Sequence, residues 1–193
     1  MKVNERKRGR PPKKKDGLDK ALIVQKAKFL MAEKQGIPSI RALASELSVD
    51  AMAIYHYFKN KNELLEVITT SLILDMYEPK SDKDWQYELL KLCKSYLKTL
   101  DKYDGLLNVL LTMESDSPAE AFTNRFQQII TPLSLKEKER SAFLDLLVDY
   151  LHGFSVAKSC DKLSILSFDD IDQSIQLIIN GVLASSKAKL HID

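Results

Sequence analysis

The chain has 193 residues, 45% of them apolar and 29% charged, enough to bury a core in one domain or in a small head plus a body. No apolar run approaches the roughly 18–20 residues needed to cross a bilayer, and the basic N-terminus has no apolar segment behind it. Neither a membrane span nor a secretory signal is therefore expected, and the protein reads as cytoplasmic.

The formal net charge of +2 conceals an asymmetry. Residues 1–65 hold 15 basic and 7 acidic side chains, whereas the remainder holds 14 and 20. A basic head on an acidic body suits a polyanion-binding module carried by a domain that should avoid the polyanion. Residues 1–15, MKVNERKRGRPPKKK, carry eight basic groups and almost nothing apolar, so this arm is expected to be disordered when free. Within it Arg8-Gly9-Arg10-Pro11 resembles the core of an AT-hook, in which arginines enter a narrow minor groove over A·T tracts. A plain basic tail is the other reading, and either adds phosphate affinity and salt sensitivity.

A first helix is predicted over Asp19–Gln35, with Leu22, Ile23, Ala27, Leu30 and Met31 as its apolar stripe and Gly36 as its C-cap. Ser39–Leu47 follows, placing Ile40, Leu43, Ala44 and Leu47 at offsets 0, 3, 4 and 7. A corner at Ser48-Val49-Asp50 leads to another helix, capped by Asp50 and running to about Phe58. Two short helices meeting at a tight corner are a helix-turn-helix candidate, although an ordinary αα-corner has the same spacing. Asn60-Lys61-Asn62-Glu63 has a capping-box pattern and opens a fourth helix over residues 61–77, the natural lever into the body.

The body repeats such start signals. Ser81-Asp82-Lys83-Asp84 precedes a helix to about Lys102 with Trp85, Leu89, Leu92, Cys93, Tyr96 and Leu100 on one side. Gly105 breaks the pattern before an apolar stretch, Leu106–Met113. Ser117, as N-cap to Pro118-Ala119-Glu120, opens Ala119–Ile130. Ser134 opens a long helix to about Lys158, and Ser167 the last one, to about Lys187. No β-alternation with turn signals occurs, so the chain reads as all-α with about nine helices. Cys93 and Cys160, each within an apolar stripe, read as buried free thiols.

The last two helices are apolar over more than one stripe, through Phe143, Leu146, Leu147, Tyr150, Leu151 and Phe154 in one and Ile171, Ile175, Leu177, Ile178, Ile179, Val182 and Leu183 in the other. So wide an arc needs burial on two sides. Either a thick monomeric core or a second subunit supplies it, with Gly153 and Gly181 permitting close helix contact. A two-fold dimer would match a palindromic DNA site.

The run Val49-Asp50-Ala51-Met52-Ala53-Ile54-Tyr55-His56-Tyr57-Phe58-Lys59-Asn60-Lys61-Asn62-Glu63-Leu64-Leu65 resembles the signature of the TetR family of bacterial transcriptional regulators. Together with the first helix and Ile40-Arg41-x-Leu43-Ala44 it fits that family in order and spacing over residues 19–66; the body is similar only in pattern. The resemblance implies an arm (1–15), a helix-turn-helix DNA-binding domain (16–60) and a helical effector-binding and dimerisation domain (61–193). It also implies a homodimer through the last two long helices, bound to double-stranded DNA as a repressor and released by a small-molecule effector. Arg41, Lys61 and the arm's Arg8 and Arg10 then correspond to phosphate or base contacts, and Ala51, Met52, Ala53 and His56 to groove-facing positions. Tyr55 and Tyr57 occupy places of phosphate-contacting or packing aromatics.

Two departures stand out. Ser48 replaces the glycine usual at the corner, which implies a different or strained turn. Ala-Met-Ala replaces the usual hydroxyl or amide groups, which implies weak base readout through thymine methyls and a large phosphate and arm contribution. An architectural or partner-binding DNA-binding protein without an inducer is the alternative.

No nucleophile motif, phosphate loop or metal spacing accompanies His56, His152 and His191, so no enzyme, cofactor or metal is expected. Trp85, Tyr96, Met113, Phe122, Phe126, Tyr150 and His152 are the candidates for lining an effector pocket. Helical spacing makes core positions of them equally well, and His152 reads first as a satisfied core histidine.

Overall fold

The computed structural model describes residues 17–34 and 36–188. The arm, with Arg8 and Arg10, and His191 lie outside the described residues. Among the described residues, nine α-helices and one 3₁₀ turn account for the fold: α1 Lys20–Lys34, α2 Ile40–Glu46, α3 Ala51–Tyr55, α4 Lys61–Leu74, α5 Trp85–Lys102, α6 Leu106–Thr112, α7 Ser117–Ile130, the turn Thr131–Leu133, α8 Glu137–Ser159 and α9 Ile171–Ala188. No strand occurs among them, and no helix there is long and apolar enough to cross a membrane.

The start signals act as read at most of the helices. Ser39 Oγ accepts from Ala42 N (3.1 Å), Asp50 Oδ1 from Met52 N (2.7 Å) and Asn60 Oδ1 from Glu63 N (2.8 Å). Each oxygen satisfies a backbone donor that the first helical turn leaves open. At α4 the reciprocal bond is displaced by one residue, with Glu63 Oε2 accepting from Lys59 N rather than from Asn60 N. Asp84 caps α5 at Gln86 N and Tyr87 N, 3.0 Å each.

Several expectations need correction. Asp116, not Ser117, occupies the N-cap of α7 and makes no side-chain cap bond; the Ser117 hydroxyl turns to α4 instead. The second helix of the corner stops at Tyr55, because Phe58 must fold back to become 1% exposed in the head core. α4 ends at Leu74 rather than residue 77. Cys93 is buried, but Cys160 terminates α8 and is exposed.

The head closes around Ile23, Ala27, Leu30 and Met31 of α1, Leu43 and Ala44 of α2, Ile54 and Phe58, all essentially inaccessible. The corner itself is a Schellman turn: Val49 N bonds Ala44 O (3.0 Å) and Ser48 N bonds Ser45 O (3.1 Å). That geometry requires a left-handed residue between them, and Ser48 adopts it at φ 54°. The departure from glycine therefore changes no hydrogen bond; it leaves a side chain where glycine is cheaper by about 1 kcal/mol. α4 leaves the head, packs along α1, α6 and α7, and enters the body core formed by α5, α7, α8 and α9.

Candidate nucleic-acid interface and effector cavity

On the head, α3 presents Met52 (63% exposed), Tyr55 and His56 to solvent, with Ala51 and Ala53 half-buried beside them. Apolar Ala and Met offer no hydrogen bond to a base edge, only contact with a thymine methyl. Tyr57 is turned inward instead, its hydroxyl donating to Leu18 O (2.5 Å), so its role in the fold is to pin the entry of α1 to the corner. Arg41, the second residue of α2, and Lys61, the first of α4, are exposed on helix N-terminal turns. There cationic side chains and open backbone N–H groups both favour an anion.

In the body a cavity of about 550 Å³ lies between α5, α6, α7 and α8, a volume ordinary for a small-molecule site. Among the seven aromatic, methionine and histidine candidates, Tyr96, Met113, Phe122 and His152 line it. The other three do not. Phe126 is 1% exposed and stacks edge-on against Phe143 in the core, ring centroids 5.1 Å apart. Tyr150 faces Phe154 on α8, and Trp85 lines a separate groove against Pro79 and Pro132.

The polar end of the cavity is built by Tyr96 from α5 and His152 from α8, whose hydroxyl and Nε2 are 2.7 Å apart. Burial pushes the Tyr96 phenol well above its usual range and lowers the His152 imidazole, with Asp149 opposing the latter shift. Both groups thus favour their neutral forms, and the pair offers an uncharged donor–acceptor to an occupant. His152 is satisfied and lines the cavity at once. α8 adds Leu144, Asp145, Val148 and Asp149 on the same face. Among the described residues no three His, Cys, Asp or Glu groups converge as around a metal ion.

Ile73 of α4 lines this cavity directly, and two side-chain connections hold α4 from the α6–α7 side, neither of them visible in the sequence pattern. Ser115, itself a lining residue, donates to Glu66 Oε1 (2.6 Å), and Ser117 donates to the same oxygen (3.0 Å). These two hydroxyls hold the Glu66 carboxyl below the usual carboxylate range. At the other end of α4, buried Arg125 of α7 donates to Ile73 O and Leu74 O, 2.9 Å each, and to Glu78 Oε2 (2.8 Å). It satisfies the Leu74 carbonyl at the helix terminus and shares the Ile73 carbonyl with Met76 N. The partners lie about fifty positions apart in the chain, beyond the reach of any local periodicity.

Comparison with known proteins gives a consistent answer. Residues 23–68 match the family model for bacterial regulatory proteins of the tetR family, and residues 78–164 the model for the tetracyclin repressor-like C-terminal domain. No curated protein sequence matches the chain. Among solved structures, Streptomyces coelicolor ActR in complex with (S)-DNPA aligns with a TM-score of 0.71 at 16% identity, covering 87% of this chain and 98% of its own. Mycobacterium smegmatis BioQ aligns with a TM-score of 0.70 at 18% identity, over 86% and 99%; BioQ is also solved with its double-stranded DNA operator. A point variant of TetR from Acinetobacter baumannii in complex with minocycline aligns at 0.67 and 19% identity, over 89% and 97%. At these identities the structures share the fold.

Proposed function

Since the chain belongs to the tetR family of bacterial regulatory proteins, we propose that it is a ligand-responsive repressor: a homodimer that binds a two-fold symmetric operator and leaves it when a small molecule fills the α5–α8 cavity. The observation that carries this reading is the double role of Ser115, which lines the cavity and holds Glu66 on α4. An occupant that displaces the 113–117 segment necessarily disturbs the helix that leads into the DNA-binding head.

The head supports the DNA side of the proposal. Arg41 and Lys61 are exposed where they can meet phosphates, and Met52, His56 and Tyr55 are presented to a groove. Arg8 and Arg10 add an arm able to follow the minor groove. Support for the dimer comes from the last two helices: Leu146, Val156 and Leu177 are 52–70% exposed. A Cβ built at Gly153 or Gly181 meets nothing within 4 Å, leaving room for close approach of a second helix pair.

Release then follows from geometry. Two heads match successive major grooves only at a separation of about one helical turn of DNA, roughly 34–36 Å. A change in the angle of α4 alters that separation, so the occupied and DNA-bound states exclude each other.

The test is to select genomic DNA fragments of the source bacterium on the purified protein at near-physiological salt. Recovery of one shared two-fold symmetric site of roughly 15–20 base pairs supports the operator reading and points to neighbouring genes. Recovery of A·T-rich fragments without a common symmetric site would retire it in favour of an architectural role, the outcome that the apolar face of α3 also fits.

A further inference from the structure

Resting on the reading of the α5–α8 cavity as the effector site, we infer that its occupant is an amphipathic aromatic cation: a quaternary or protonated amine, or an equivalent onium group, carried on a bulky apolar body.

The lining decides the charge class. Among the described residues, the charged side chains that line the cavity are two carboxylates, Asp145 and Asp149, one turn apart on α8; no lysine or arginine is with them. A carboxylate, phosphate or acyl-phosphoester ligand would bring its charge beside two like charges, with no cation to offset the loss of its water. An uncharged lipophile would gain nothing from the field of the two carboxylates.

The α5 and α7 residues of the lining carry an independent signal of the same sign. Tyr96 and Phe122 line the cavity with ring centroids 5.0 Å apart and planes tilted by 50°. Aromatic surface in a lining attracts an onium group, whose charge is delocalised and weakly hydrated. Leu110, Met113, Leu144 and Val148 supply the apolar remainder of the wall. The Tyr96–His152 pair adds a neutral polar contact and no positive charge, because burial favours the unprotonated imidazole. Asp149 stands at the same edge of the cavity as His152 and acts on it through charge. Asp145 accepts from the Ser141 hydroxyl at 3.3 Å, a long bond on the exposed side.

Two ions of the same size and shape separate charge from hydrophobicity: tetraphenylphosphonium and tetraphenylborate. Calorimetric titration of the full-length dimer with each should show the cation binding about tenfold or more tighter, with one site per subunit. Asp145→Asn with Asp149→Asn should lower the affinity for the cation about tenfold and leave the anion no weaker. Both carboxylates are exposed, so the double variant should keep its helical circular dichroism. Ala119→Trp, which places an indole in the same cavity, should abolish binding of the cation.

Equal or tighter binding of the anion, blocked by Ala119→Trp, would overturn the charge assignment while keeping the cavity as a ligand site. Binding of the cation that ignores both variants would place it elsewhere and overturn the inference. Failure of both ions to bind at millimolar concentration would overturn the inference and the effector reading of the cavity together.

Discussion

Replacing Arg125 by methionine isolates what holds the far end of α4. Arg125 is 6% exposed, and its guanidinium makes three hydrogen bonds, two of them to the backbone carbonyls of Ile73 and Leu74. Hydrogen bonds that involve a charged partner contribute about 1.5–3 kcal/mol each. The lower figure applies, because removing the arginine also removes the cost of keeping a charge out of water. The two carbonyl bonds then sum to about 3 kcal/mol. Glu78, 69% exposed, adds little, since it regains water when released. Domains of this size lose about 2–4 °C of Tm per kcal/mol, so Arg125→Met should lower the Tm by about 6–12 °C at fixed protein concentration. Arg125→Lys, with one point charge in place of a planar fork, should fall between the two. Amide exchange should rise at residues 70–76 before the rest of the body. A methionine variant within about 0.5 kcal/mol of the parent, or a lysine variant equal to it, would refute the claim that the fork clamps α4.

Three further outcomes follow from other parts of the molecule. Ser48→Gly should raise stability by about 1 kcal/mol: relief of a left-handed side chain is worth about 1–2 kcal/mol, less the extra unfolded-state freedom of glycine. Ser48→Ala should leave urea unfolding unchanged, and a glycine variant no more stable than alanine would remove strain from the account. The folded pKa of His152 is depressed, so its contribution is intact above its unfolded value near 6.5 and is lost as the pH falls through the folded value, where the unfolded chain alone takes the proton. His152→Gln, which still accepts from the Tyr96 hydroxyl while Asp145 and Asp149 stay in place, should flatten the Tm profile as the pH falls below about 6.5; an unaltered profile would assign the dependence elsewhere. Lys61→Ala should weaken binding to any duplex and reduce the salt slope by about one, whereas deleting residues 2–15 should reduce it by several; an unchanged affinity and slope after the deletion would discard the arm as a DNA contact.

The frame of this fold was legible because it is written in local chemistry. Ser39, Asp50, Asn60 and Asp84 mark helix starts through bonds to residues two or three positions on, and the 3.6-residue stripes mark the buried faces. Errors arose where a distant partner decided the outcome. Ser117 left the capping role for Glu66, and the helix at Ala51 stopped early because Phe58 has a place in the head core. Trp85, Phe126 and Tyr150 share the spacing of Tyr96 and Phe122, yet spacing records only that a side chain is buried, not whether its neighbour is a core residue or an empty cavity. Asp145 and Asp149 carry no local signal of a site, and it is the fold that sets them beside the cavity. The family pattern picked out residues of the head that the fold leaves exposed, Met52, Tyr55 and His56, and was silent on Arg125 and Glu66, whose contacts are set by this chain's own packing.

The contacts along α4 also define what kind of motion the helix can transmit. At Leu74 it is clamped by a buried arginine, and near the same end Lys28 of α1 bonds Ser71 and Asp75. At Glu66 it is held by two serine hydroxyls on the α6–α7 side. On the proposed reading, in which an occupant displaces the 113–117 segment, the clamp serves as the pivot and the clip at Glu66 takes the load. With a rise of about 1.5 Å per residue, Glu66 stands about 12 Å from Leu74 and Lys61 about 20 Å from it. A displacement at the clip is therefore enlarged by about 1.6-fold at the DNA end. This geometry predicts a specific failure. Ala119→Trp, which adds an indole to the cavity lining, should weaken operator binding in the parent protein. In a Ser115→Ala, Ser117→Ala background the same substitution should leave operator affinity unchanged, although the cavity carries the same indole. The double-mutant cycle measures the coupling directly. Equal weakening in both backgrounds would show that the signal reaches the head by another route, and the clip would then be a packing contact without a part in release.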